Sequence, residues 1–335
     1  EAYHLGVPVV RALEFVPSKD ELLSLSQGAL DGASPASEEG LPDGALKEFQ
    51  NDKYKILTQD GEYARVMQFN LTKGFPYDNV AFRQAIAYAV DRKDLVKRIL
   101  LGDGKPGSIG GLPPTNAWLA SGLPAYDLDV AKAKSLLDGI GLKDANGDGI
   151  RELPDGKPFT MTIQVSARDK AQTGELVKEY LKAVGIDVKL NSLDGAAADQ
   201  AAAKGAYDVA LVGYSLGSDP DSLRVRLSSA VKSTSFSRIQ GYNNPQFEQA
   251  ATAQLVALSN DQRKAAVTTM QQIVAQDVPA IPLYHGTSYF VHRTTPFNSF
   301  YFTPGSIWGG YPGILNKHAF VTGKIKALNE AALPA

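Results

Sequence analysis

Two stretches of this chain have residue types at spacings that chemistry could use. From Asp144 to Asp155 the sequence reads DANGDGIRELPD, which puts side-chain oxygens of Asp144, Asn146, Asp148, Glu152 and Asp155 at the first, third, fifth, ninth and twelfth places of a calcium loop. Gly149 stands at the sixth place, where the turn is sharp, and the carbonyl of Ile150 supplies the seventh-place ligand. Asp155 is one methylene shorter than the usual bidentate Glu, and Pro154 breaks the helix that would leave a true calcium-binding hand. Asp, Asn and Gly also make solvated turns without an ion, so the stretch predicts either a structural calcium or a plain turn. The second stretch is Gly213 to Gly217, GYSLG, which has the G-x-S-x-G form of a nucleophile elbow directly after an apolar run, with Ser215 as nucleophile. Asp277 with His285, His292 or His318 would complete a triad in hydrolase chain order. Ser218-Asp219-Pro220-Asp221 nevertheless delays the helix that an elbow must enter at once, and no HGGG-like segment precedes it. The four His residues do not pair with one another or with an acid at ligand spacing, and read as structural or surface groups.

Composition narrows the classes further. A chain of 335 residues, 44% of them hydrophobic, has room for two domains with proper cores. A net charge of -2 with no basic stripe argues against a nucleic-acid partner. No apolar run reaches the roughly 18 residues of a membrane-spanning helix. The absence of Cys removes disulfides, thiolate catalysis and Cys-based zinc sites together. The chain starts at Glu1 without Met or a basic and apolar leader, so we expect a processed product or, preferably, a fragment.

The elements that must position these residues follow from periodicity and caps. Residues 63–71 separate into two faces at period two and predict a largely buried strand, stopped by Lys73-Gly74-Phe75-Pro76. Asp78 or Asn79 can cap a helix carrying Phe82, Ile86, Ala89 and Val90; Asp91 caps a second with Leu95, Val96, Ile99 and Leu100, and Gly102 ends it. Upstream, residues 7–15 read as a strand, Ser18 as the cap of a helix through Leu22, Leu23 and Leu25, residues 28–33 as a short strand, and 34–53 as a loop with one short helix near Leu46. Downstream, 103–125 is a Pro- and Gly-rich loop and 129–140 a helix; strands at 159–165, 186–190 and 208–212 alternate with helices at 174–184 and 199–205. That alternation predicts a mainly parallel sheet. A long helix over 261–274 leads to a strand over 280–284.

The run FNLTKGFPYDNVAFRQAIAYAVDR, Phe69 to Arg92, resembles the signature of the family 5 extracellular solute-binding proteins, the peptide, dipeptide and nickel receptors of ABC importers. Three further stretches resemble that family in the same order. They are Asp144 to Lys157, YDVALVGYSLGSDPD from Tyr207 to Asp221, and GYNNPQF from Gly241 to Phe247 followed by VPAIPLYHG. The resemblance implies that Tyr214 lines the ligand pocket, with Asp219-Pro220-Asp221 as the acidic part of the following loop. Where family members pair an Asp with the ligand's α-amine, this chain has Gly217, which puts a free peptide N-terminus in doubt unless Asp219 substitutes.

We therefore expect an α/β fold of the type II periplasmic-binding-protein class, two lobes joined by two crossing strands, with the first lobe incomplete. Residues 1–69 would belong to the first lobe, 70–282 form the second, ligand-binding lobe, and 283–335 return to the first. The ligand positions the resemblance implies are Phe69, Asn70, Tyr214, Ser215, Gly217, Ser218, Asp219 and Tyr242. The expected work is capture of a peptide or solute of similar size for an ABC permease, outside the cytoplasm, with lipid anchoring through a missing N-terminus. No catalytic residue and no cofactor are required; a structural calcium is the one metal candidate, and hydrolysis at Ser215 is the alternative.

Overall fold

In the computed structural model, residues 14, 16–35, 41, 44–167, 171–215, 217, 219–233 and 235–295 are described. The element around which the rest is arranged is the long strand β2 (Tyr54–Phe69) with the helices that follow it, α2 (Val80–Ala89) and α3 (Arg92–Ile99). Asn79 caps α2 by accepting from the N–H groups of Ala81 and Phe82, and Asp91 caps α3 by accepting from those of Lys93 and Asp94. Gly102 has φ +87°, the left-handed backbone its place after α3 requires. Strand β2 starts nine residues before the alternating segment, because its polar first half is held by pairing with a remote strand.

Among the described residues seven strands form one sheet, in the order β1 (Gly32–Ala33), β7 (Ala280–Arg293), β2, β6 (Val209–Ser215), β4 (Thr160–Ser166), β5 (Asp187–Leu193), with β3 (Gly104–Pro106) pairing with β7 off that path. Only β4 with β5 and β4 with β6 are parallel; the other pairs run antiparallel. The expected mainly parallel sheet is thus confined to the βα units, where helices α5 (Ala171–Ala183) and α6 (Gly195–Lys204) return the chain to the same end of the sheet. Strand β3 lies inside the segment expected to be all loop; three residues of polar sequence carry no period to reveal it. Helix α1 (Glu21–Ser26) is capped by Asp20 rather than Ser18, whose hydroxyl instead bonds Ser24 at 2.8 Å. Helix α6 starts earlier than Asp199, at its cap Asp194. The strand expected over 7–15 lies outside the described residues, apart from Glu14.

The two faces of β2 pack differently. Met67 and Phe69 join Val209 and Leu211 of β6 against α2, α3, α5 and α4 (Val130–Gly139). Ala64 and Val66 join Ala210 and Val212 on the opposite face, beside Ala202 and Tyr207. A further group unites α7 (Asp221–Leu227), α8 (Pro245–Leu255) and α9 (Asn260–Asp277) through Leu223, Phe247, Met270 and Val274. The first half of β2 and the last half of β7 lead away to a small separate cluster of Leu25, Ala33, Phe49 and Val291. Two long antiparallel strands therefore connect two packing groups, with a register irregularity between Asp60 and Ala64 where the groups part.

Candidate functional site

The site is built at the end of β6. Its strand continues through Gly213, Tyr214 and Ser215, past the expected end at Val212. Gly213 pairs with Arg65, and a Cβ there would lie 1.8 Å from the Tyr63 hydroxyl and 2.9 Å from an Arg65 guanidinium nitrogen, so the bare backbone is what lets these side chains cross the strand. Tyr214 points to the opposite face, with Ala64, Val66 and Val212. The guanidinium of Arg226, from α7, stacks over the Tyr214 ring at 4.4 Å. Arg226 also donates to the carbonyl of Ser215 and, at 3.5 Å, to that of Ser222, which ties α7 to the end of β6. Burial pushes the Tyr214 phenol up and the Arg226 guanidinium down from their ordinary values. Beside this pair lies a small recess, about 30 Å³ for a water-sized sphere, lined by Ile109, Tyr214, Leu223, Arg226, Val274 and Pro282 among others.

The loop after β6 is tied down by its own charges. Gly217 has φ +67° and its carbonyl accepts from Asn116 at 3.2 Å. Asp219 accepts from the Asp221 N–H at 2.8 Å and pairs with Arg263 at 2.7 Å, while Arg263 lies 5.1 Å from the centre of the Trp118 ring. Asp221 pairs with Arg224 at 2.7 Å and accepts from Gln254 at 2.6 Å; the Arg224 hydrogen bond holds its carboxyl below the usual range. Asp219, the substitute partner for a ligand amine, is thus already paired. Ser218 lies outside the described residues.

The structure brings Tyr214, Ser215, Gly217 and Asp219 into one neighbourhood but not the remaining expected positions. Phe69 is fully buried and packs edge-on to Phe82 at 6.3 Å. Asn70 is also buried: its amide donates to the carbonyls of Gly205 and Tyr207, and its oxygen accepts from the N–H and hydroxyl of Thr72. Tyr242 packs on Phe247 and donates to Asp277 at 2.7 Å. Arg226 is the residue that sequence reasoning missed; nothing local marks it, since only the fold of α7 onto β6 brings it over Tyr214.

Ser215 is not an elbow nucleophile. It closes a regular strand paired with Tyr63, no helix follows it at once, and its buried hydroxyl has no hydrogen-bond partner among the described residues. His285 has neither ring nitrogen hydrogen-bonded, so it cannot serve as the Ser215 base in this arrangement.

In the Asp144 loop, oxygens of Asp144, Asp148 and Glu152 lie within 4.8 Å of one another. Gly147 and Gly149, with φ of +82° and +90°, turn their N–H groups onto Asp144, and Ile150 donates to Asp148. The Asn146 amide group donates to both Asp148 and Glu152. Asp155 stands apart, paired with Lys157 at 2.5 Å. Three carboxylates, of Asp144, Asp148 and Glu152, thus stand within reach of one cation, while the Asn146 oxygen accepts from the Asp148 N–H and Asp155 does not join them.

Residues 3–235 match the family model for bacterial extracellular solute-binding proteins, family 5, middle region. The chain is 30% identical over 226 residues to the oligopeptide-binding protein AppA of Bacillus subtilis, covering 64% of this chain and 40% of that protein. It also resembles the oligopeptide-binding protein of Thermus thermophilus solved with a pentapeptide (TM-score 0.73, 21% identity, 94% of this chain and 56% of that one). Another similar structure is NikZ of Campylobacter jejuni solved with Ni(L-His) (TM-score 0.70, 21% identity, 89% and 58%). The chain spans about half the length of these relatives. With a family match over most of its length, a mixed sheet of the same fold and a strand-end tyrosine over a recess, the chain belongs to the family 5 bacterial extracellular solute-binding proteins.

Proposed function

We propose that this chain is the ligand-holding part of the solute-binding component of an ABC importer, working outside the cytoplasm and passing a peptide or solute of similar size to a membrane permease. The observation that carries this reading is Tyr214, presented at the end of β6 with Arg226 behind it and the recess beside it, inside a chain of this family. Relatives are named for oligopeptides, for di- and tripeptides and for haem, so a peptide is the first ligand class to test. In this reading residues 70–282 form one lobe, and β2 and β7 are the connections about which a second lobe would close. No reaction is needed for capture, and among the described residues no helix is long and apolar enough to cross a membrane. Attachment to the membrane through a lipid is a further part of the proposal.

Native mass spectrometry of the full-length protein, purified gently and compared with its denatured mass, tests the reading. The expected result is a noncovalent extra mass that exchanges with added pentapeptide; absence of any retained or exchangeable small molecule would count against it. The Asp144 loop is proposed to hold a calcium ion that stiffens the second lobe rather than switching it. Terbium luminescence lost in Asp148→Asn, with a melting temperature lowered by chelator, is the expected outcome; an unchanged melting temperature would reduce the loop to a turn.

A further inference from the structure

We infer that Asn146 is a self-modification site: its side-chain amide is lost in the folded protein, with the main-chain nitrogen of Gly147 attacking and neighbouring groups assisting. Of all the Asn residues in the chain, only Asn146 is followed by Gly. Both residues are exposed, and beyond its chain neighbours no atom lies within 4 Å of the place where a Cβ of Gly147 would stand, so the attacking nitrogen is unobstructed. The contacts around the pair match what the reaction needs. The Gly147 N–H donates to Asp144 Oδ1 at 2.7 Å, which puts a base on the proton that the attacking nitrogen must lose. The Asp148 N–H donates to Asn146 Oδ1 at 2.8 Å, where negative charge develops as the nitrogen adds to Cγ. The leaving nitrogen, Asn146 Nδ2, lies 2.9 Å from Glu152 Oε1 and 3.1 Å from Asp148 Oδ2. Oxygens of Asp144, Asp148 and Glu152 stand within 4.8 Å of one another, so the Gly147 proton has carboxylates to carry it to that nitrogen. The bond from Gly147 N to Asn146 Cγ forms, the bond from Cγ to Nδ2 breaks, and ammonia departs with the Gly147 proton, leaving a succinimide. Solvent water then opens the ring at either carbonyl to give aspartate or isoaspartate, with no oxidant or reductant involved. The product lacks the amide hydrogens that bridge Asp148 and Glu152 and adds a carboxylate beside theirs, so attraction within the loop turns to repulsion.

The test follows the unaltered full chain at neutral pH with a chelator present, once folded and once in guanidinium chloride. Mass spectrometry of its proteolytic peptides reads the gain in mass from amide to acid at Asn146. A fixed backbone ordinarily slows this reaction, because the nitrogen must reach Cγ through torsions that the fold restrains. With base and hydrogen-bond donor already in place, the loss is instead expected to run at least about tenfold faster in the folded chain than in the unfolded one. Asp144→Ser is expected to bring the folded rate down toward the unfolded one. A folded rate equal to or below the unfolded rate overturns the inference, since the hydrogen bonds would then protect the amide rather than assist its loss. An undiminished rate in Asp144→Ser overturns it as well. Should the amide spectrum of Asp144→Ser show a disturbed fold, the comparison of folded with unfolded chain decides alone.

Discussion

Two arginines of the run RQAIAYAVDR have roles that its helical periodicity does not announce. Arg83 is buried and donates to the carbonyls of Tyr77, Asp277 and Val278, closing the C-terminal end of α9 onto the start of α2. Arg92 is buried as well and donates to the carbonyls of Gly107, Ala125 and Tyr126, pinning both ends of the long loop that contains the wall of the recess. Four of these carbonyls, of Tyr77, Val278, Gly107 and Tyr126, take their bonds in buried places, where an acceptor without a donor is costly. Arg83→Ala and Arg92→Ala are each expected to lower stability in urea titration by about 3 kcal/mol, and Lys at either place to recover only part of it, because an ammonium cannot reach several carbonyls in one plane. The exposed pair Lys93–Asp127 is the control: its loss should cost under about 1 kcal/mol. A loss below that level at Arg83 or Arg92 would show that these groups are not the staples their geometry implies.

The long strands depend on places where backbone meets backbone. At the irregularity between Asp60 and Ala64, a Cβ on Gly61 would lie 1.8 Å from the carbonyl oxygen of Gly286. On the other side of β7, Cβ atoms on Gly104 and Gly107 would lie 2.3 and 2.2 Å from the carbonyls of His285 and Pro282. These contacts fall on fixed main chain, so Gly61→Ala must push β2 and β7 apart and is expected to cost at least about 2 kcal/mol, with loss of amide-exchange protection on both strands. Gly139, at the end of α4, has open space around its missing Cβ and no positive φ, so Gly139→Ala should be neutral or stabilise by up to about 1 kcal/mol. Equal effects at the two sites would refute the close-approach account. The spacing of these glycines was visible in the sequence, but which of them face a partner strand was not.

Taken whole, the molecule carries a buried titratable group in the same region. His285 is 2% exposed, sits on β7 opposite Ala64, and has no hydrogen bond to either ring nitrogen. Burial pushes its pKa down to about 4. Because the folded state resists the proton that the unfolded chain accepts, the stability from keeping His285 neutral is complete above about pH 6.5 and is lost as pH falls toward 4. The loss is on the order of 3 kcal/mol for a shift of that size. Denaturation series between pH 4 and 7 should show this slope, and His285→Phe should flatten it; an unchanged slope would place the pH dependence elsewhere.

Local order was legible in the chain alone. Asn79, one of the two residues offered as cap of α2, and Asp91 cap their helices as read, because a cap needs only an oxygen and N–H groups two or three residues on. The alternation of β4 was equally plain, since one face of seven residues is enough to reveal it. The rest waited on contacts between remote segments: the polar first half of β2, strand β3 and the antiparallel pairings depend on β7, far along the chain. In the Asp144 loop everything is local: Asp144, Asp148 and Glu152 converge through turns, and Asp155 pairs with its near neighbour Lys157. At the site, Tyr214 could be named from its motif, but the cation over its ring, the recess beside it and the Asp219–Arg263 pair exist only because α7 and α9 fold back onto β6. Charges separated in sequence can be matched or left unmatched only in three dimensions: Asp219 meets Arg263 of α9, while among the described residues no carboxylate pairs with Arg226.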